Sequence, residues 1–91
     1  MPHQLKLYST LGCHLCDDAL DILKPLAAHY GLEIHVLDII DNPQWLERYQ
    51  IRIPVIQMND CIEDLGWPFT LEQADIFLRA QLRLVESIKA D

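Results

Sequence analysis

The 91-residue chain sets 7 Lys and Arg against 14 Asp and Glu, a formal net charge of −7, with 51% of its residues apolar and only 3 Gly and 5 Pro. That balance excludes disordered and collagen-like classes and leaves room for one core but not two, so residues 1–91 are read as a single domain. A surface of this sign repels phosphate backbones and anionic lipid, and no apolar run approaches the roughly 20 residues of a membrane span, so neither nucleic acid nor membrane is an expected partner.

"QLKLYS" alternates, with Leu5 and Leu7 on one face and Lys6 and Tyr8 on the other, which predicts a first strand over Gln4–Ser9 and a turn at Thr10-Leu11-Gly12. From His14 to Tyr30, Leu15, Ala19, Ile22, Leu23, Leu26 and Tyr30 recur at helical spacing, and Gly31 supplies the stop. Pro25 inside that helix deletes one backbone hydrogen bond and is expected to bend it near Asp21. "LEIHVLDI" reads as the second strand. In "DNP", Asn42 is the N-cap and Pro43 the first residue of a short helix ending near Tyr49.

"IPVIQM" and "CIEDL" are two short strands joined by Asn59-Asp60 in a tight hairpin. Thr70 and Gln73 form a capping box that opens the last helix, whose stripe is Leu71, Ala74, Phe77, Leu78, Val85 and Ile88. The order β-α-β-α-β-β-α predicts an α/β fold. A crossover helix demands parallel neighbours, the hairpin adds an antiparallel edge, and helices on both faces bury a mixed four-stranded sheet as a three-layer sandwich.

Between the first strand and the first helix stands "LGCHLCDD". Cys13 falls at or next to the helix N-cap, where its sulfur would face the backbone N–H groups of Leu15 and Cys16, an arrangement that favours thiolate. Cys16, one turn further in, can close a disulfide with Cys13 but is more buried and less nucleophilic. The spacing divides the labour: Cys13 attacks a disulfide and Cys16 resolves the mixed disulfide. His14 either adds positive charge beside the thiolate or is an exposed first-turn residue. Asp17 and Asp18 suit the helix dipole yet oppose thiolate formation.

A buried structural cysteine pair and half of a metal site are the other readings of this spacing. Zinc needs further ligands, and no second CxxC or paired His exists, so no metal is expected. Three cysteines are too few, and odd in number, for a secreted disulfide framework, and "MPHQLKLYST" has no signal-peptide pattern. A reducing cytoplasm is the expected compartment.

"YSTLGCHLCDDA", "RYQIRIPVI" and "DLGWPFTLEQADIFL" together resemble the glutaredoxin-like branch of the thioredoxin superfamily. More narrowly, they resemble small bacterial proteins with a G-C-x-L-C active site and a W-P-F segment. The resemblance implies a thioredoxin fold, with Cys13 and Cys16 catalytic and Gly12, His14, Arg52, Ile53 and Pro54 binding substrate. It also implies a cis Pro54 beside the cysteines, turning the Ile53 backbone toward an extended peptide or glutathione.

The implied activity is that of a small thiol–disulfide oxidoreductase acting as a monomer on protein or glutathione mixed disulfides. It would hold no bound cofactor and use glutathione as a co-substrate. A non-catalytic binding module and an iron–sulfur or zinc carrier are the rivals. The chain departs from the usual glutaredoxin pattern in lacking C-P-Y-C, in carrying Thr10 where a lysine is usual, and in having Leu65-Gly66-Trp67-Pro68 in place of G-G-x-D. Those groups normally hold glutathione, itself an anion. Arg52 is then the local candidate for an anion contact, or a solvated strand-edge residue. Cys61 is read as a half-buried core residue opening the last strand, and Trp45, Trp67, Tyr8 and Tyr49 as packing residues.

Overall fold

The computed structural model describes residues 3–58 and 61–89, with side chains described through Glu86. Four strands form one sheet: β1 (Gln4–Ser9), β2 (Glu33–Asp38), β3 (Val55–Met58) and β4 (Asp64–Gly66), in the order β2-β1-β3-β4. Three helices, α1 (His14–Tyr30), α2 (Pro43–Tyr49) and α3 (Leu71–Lys89), connect and cover it, and a 3-10 turn at Ile39–Asp41 precedes α2.

β1 runs parallel to β2, from Gln4↔Glu33 to Ser9↔Asp38, as a helical crossover requires. It pairs antiparallel with β3 through Leu5↔Met58, Leu7↔Ile56 and Tyr8↔Val55. β3 in turn pairs antiparallel with β4, Val55 facing Gly66. This is the mixed α/β sheet expected from the order of elements.

The sheet has an apolar face on each side. Leu5, Leu7, Ile56 and Met58 pack against Ala19 and Leu23 of α1 and Ala74 and Leu78 of α3, all 1% exposed or less. On the other face Tyr8 and Val55 pack against Ile39 and Tyr49. There Tyr8 stacks on Tyr49 at 4.3 Å between ring centroids, and Trp45 meets it edge-on at 5.7 Å. The Tyr8 hydroxyl donates to Gln57 Oε1 at 2.9 Å, so the buried polar tip is satisfied.

Several local expectations shift once the elements pack. The buried stripe of α1 is Cys16, Ala19, Leu23, Leu26 and Ala27, and Leu15, expected to start it, is 47% exposed. A helix presents residues three and four apart on one face, so a stripe that includes Cys16 and Ala19 turns Leu15 outward. α1 continues through Pro25 as one helix and ends at Gly31, whose φ of 67° is the left-handed cap conformation; the Gly31 N–H donates to the Ala27 carbonyl.

β4 begins at Asp64, so Cys61 precedes the strand instead of opening it; its half-buried side chain still packs against the larger core. Asn59 and Asp60, expected to turn the hairpin, lie outside the described residues. In α3 the inward face starts at Ala74 and includes Gln81, while Leu71 is 50% exposed and the Ile88 side chain lies outside the described residues. The capping box forms as expected, with the Gln73 N–H donating to Thr70 Oγ1 at 3.1 Å and the Thr70 N–H to Gln73 Oε1 at 2.9 Å.

Two outcomes follow for stability. Thr70→Ala removes the acceptor for the Gln73 N–H and is expected to lower the unfolding free energy by about 1 kcal/mol, read from the urea midpoint of oxidised protein. Burial, and after it the neighbouring Tyr49, push the Tyr8 hydroxyl from 10.0 up to about 12. Because the folded pKa is the higher one, this contribution is complete below pH 10 and is lost as pH rises through 12, the unfolded chain ionising first. A loss of about 2 kcal/mol is expected across that interval. Urea titrations at stepped alkaline pH should show a shallower decline in Tyr8→Phe than in the parent.

Candidate active site

The turn that leaves β1 sets the first cysteine. Gly12 takes a φ of 77°, a conformation that costs a residue without Cβ little, and the Cys13 amide donates to the Thr10 carbonyl at 3.3 Å. Cys13 is then the N-cap of α1, in an extended conformation, and its Sγ accepts a hydrogen bond from the Cys16 N–H at 3.2 Å. Of the two amides expected to face the sulfur, Cys16 is the donor.

Cys13 and Cys16 are joined in a disulfide with their Cα atoms 5.3 Å apart. Cys16 is 5% exposed, whereas Cys13 is half-buried at the surface end of the pair. His14 and Gly12 beside them are exposed. One sulfur is thus presented and the other is held beneath it.

Pro54 reaches the same end of the sheet through strand register. The β1–β3 ladder ends at Tyr8↔Val55, so Pro54 immediately precedes the paired part of β3 at the end of the sheet where β1 runs out through Ser9 into the cysteine turn. Pro54 is buried, the Ile53–Pro54 and Trp67–Pro68 bonds are both cis, and the Trp67 N–H donates to the Pro54 carbonyl at 2.9 Å. Trp67 itself packs edge-on to Phe69 at 5.0 Å and is half-buried against the larger core. Ile53 leans on the Tyr8–Tyr49 cluster, and its amide is engaged by the Tyr49 carbonyl at 3.0 Å.

Arg52, the candidate for an anion contact, keeps 40% of its side chain exposed but is already paired with a carboxylate of the chain. Its guanidinium grips Asp64 with two bonds, Nη2–Oδ1 at 2.5 Å and Nη1–Oδ2 at 3.3 Å, and lies over the Tyr49 ring at 5.8 Å. The hydrogen bond to Asp64 outweighs burial and holds the Arg52 pKa above its ordinary value. The guanidinium lies alongside Gly66, where a Cβ would stand 3.4 Å from Nη2, at ordinary van der Waals contact. Asp64 is the site residue that the sequence pattern missed. Its pairing with Arg52 spans a hairpin whose register no local spacing reveals.

A groove of about 190 Å³ runs beside the cysteine turn, lined by Ser9, Thr10, Leu11, Val36 and Asp38. Leu11 and, in the loop before Arg52, Ile51 are 89% and 93% exposed. A larger cavity of about 500 Å³ lies elsewhere, between α1 and α3. There the Tyr30 hydroxyl donates to Asp75, which also pairs with Arg79 at 3.1 Å. None of the cysteine-site residues lines that cavity, so its size does not make it the centre of the chemistry. Among the described residues no group of three or more His, Cys, Asp or Glu is placed to hold a metal ion, and no helix is long and apolar enough to cross a membrane.

Comparison with known proteins agrees with this geometry. Residues 4–83 match the family described as Glutaredoxin-like domain (DUF836). The X-ray structure of target protein XcR50 from X. campestris is 32% identical, with 84% of this chain and 96% of that chain covered at a TM-score of 0.70. The solution structure of Ne2328 from Nitrosomonas europaea is 24% identical, covering 85% and 92% at 0.72. Thioredoxin 1 from Thermosipho africanus, 17% identical over 91% of this chain and 98% of its own at 0.67, shares the fold. With a thioredoxin-like mixed sheet and a cysteine pair opening its first helix, the chain belongs to the glutaredoxin-like domain family.

Proposed function

We propose that this protein is a thiol–disulfide oxidoreductase in which Cys13 attacks and Cys16 resolves. The observation that carries the proposal is the Cys13 sulfur itself. It caps a 17-residue helix, accepts the Cys16 N–H at 3.2 Å, and is partnered by a sulfur buried one turn deeper. Amide donors and the positive end of a helix favour thiolate over thiol, and only thiolate attacks a disulfide. Asp17, in the first turn, works against this, but its exposed charge is screened by water.

In the forward cycle, the Cys13 thiolate attacks one sulfur of a substrate R–S–S–R′. A Cys13–S–S–R mixed disulfide forms and R′S⁻ leaves. Cys16, having given its proton to solvent, attacks the Cys13 sulfur; the Cys13–Cys16 disulfide forms and RS⁻ leaves. The substrate has gained two electrons and the protein dithiol has lost two. A thiol reductant such as glutathione, or a reductase drawing on NADPH, restores the dithiol.

Burial of Cys16 supports this order, because a covered sulfur meets its own neighbour more readily than a disulfide in solution. The substrate is a disulfide-bearing protein or a glutathione mixed disulfide, the protein works as a monomer without a bound cofactor, and a reducing cytoplasm keeps it supplied with electrons.

Cys13→Ser should abolish reduction of bis(2-hydroxyethyl) disulfide, while Cys16→Ser should retain the first step and accumulate a mixed disulfide detectable by mass spectrometry. Reduced protein should alkylate at Cys13 with a midpoint below the free-cysteine value of about 8.5. A midpoint at that value, together with an unchanged rate in Cys13→Ser, would end the enzyme reading. Running the assay with glutathione plus its reductase, and separately with thioredoxin reductase and NADPH, identifies the electron donor.

A further inference from the structure

We infer that Asp64 determines specificity at this site: by occupying Arg52 it weakens the binding of anionic, glutathione-type disulfides and favours, of the two substrate classes above, disulfides in neutral or basic polypeptide segments. The inference rests on the oxidoreductase reading for its chemistry, but the electrostatic lock stands on geometry of its own.

An anionic disulfide such as oxidised glutathione brings carboxylates that need a cation near the reacting sulfur. Arg52 is the cation that the chain carries next to the Pro54 segment. It precedes Pro54 by two residues, and its guanidinium lies against Gly66, the residue before Trp67, whose amide bonds the Pro54 carbonyl. Yet its Nη1 and Nη2 hold the two oxygens of Asp64, and the guanidinium lies over the Tyr49 ring.

The Asp64 side chain is 13% exposed against 40% for Arg52, so the carboxylate sits inside the fold beneath the cation it holds. A visiting carboxylate must either break a bidentate, charge-assisted pair or share the guanidinium with a negative charge already there. Both weaken its binding.

The surroundings point the same way. Asp17 and Asp18 are exposed just after Cys16, and Asp38 lines the groove beside Thr10 and Leu11. Thr10 contributes no charge to the approach. Leu11 and Ile51, almost fully exposed, offer apolar contact instead. A polypeptide disulfide flanked by apolar or basic side chains meets a complementary surface here, and glutathione meets like charge.

The test uses S-methylglutathione, an anion with neither thiol nor disulfide, titrated into isotopically labelled oxidised protein and followed by NMR. Asp64→Asn, which keeps the shape and removes the charge, should bind it about tenfold more tightly than the parent, and the double variant Arg52→Gln/Asp64→Asn should lose that gain. In the reductase assay the same single variant should raise kcat/KM for oxidised glutathione about tenfold through KM, a larger gain than for the uncharged bis(2-hydroxyethyl) disulfide.

Asp64→Ser repeats both measurements, and thermal unfolding verifies that each variant is folded. No gain in binding, a gain that survives Arg52→Gln, or an equal gain for the neutral disulfide would overturn the assignment. The binding arm needs no cysteine chemistry. Failure of the oxidoreductase reading therefore shows at Cys13→Ser, while failure of the lock shows at Asp64→Asn.

Discussion

Everything at the site hangs on β1 being paired along both edges and covered on both faces. Its backbone groups are satisfied by β2 on one side and β3 on the other, while Leu5 and Leu7 face one helical layer and Tyr8 the other. A slip of one residue would exchange those faces, driving Lys6 into the α1–α3 core and pulling the leucines out of it. The register is therefore held by burial on two sides at once. With the register held, the chain leaves the sheet at Ser9, and the turn that follows has one place in which to start α1.

From that fixed exit the two cysteines receive different environments through helix geometry alone. The N-cap lies outside the hydrogen-bonded cylinder, so Cys13 keeps part of its surface, whereas Cys16 falls on the inward stripe with Ala19 and Leu23. Three residues of spacing thus separate a presented sulfur from a covered one. The antiparallel β1–β3 ladder brings Pro54 to the same end, and the hydrogen bond from Trp67 ties the entrance of α3 to it. Strand pairing, more than any single contact, assembles the site from segments far apart in the chain.

Electrostatics then give this scaffold its particular character. A chain with a charge of −7 has few cations to place near its active end, and the one that precedes Pro54 is committed to Asp64. The pair ties the loop after α2 to β4, so the same contact serves the fold and alters what the site presents to a visitor. Because both partners are partly withdrawn from water, their charges are less screened than those of a surface pair.

Element types and their order were legible from sequence because they depend on local chemistry. Alternation marked β1, Gly31 and Asn42 marked helix ends, Thr70 and Gln73 marked the start of α3, and the cysteine spacing set an N-cap beside an inward position. What depends on long-range packing was not legible. Leu15 turned out while Cys16 turned in, because the α1 stripe is phased by the sheet it covers. β4 began three residues beyond Cys61, since register with β3 decides where pairing starts. Arg52 met Asp64 only after the hairpin folded back. The sequence by itself determined which cysteine caps α1, because capping is local; the tertiary structure decided that Arg52 is paired with Asp64, because an ion pair across strands exists only once the sheet is formed.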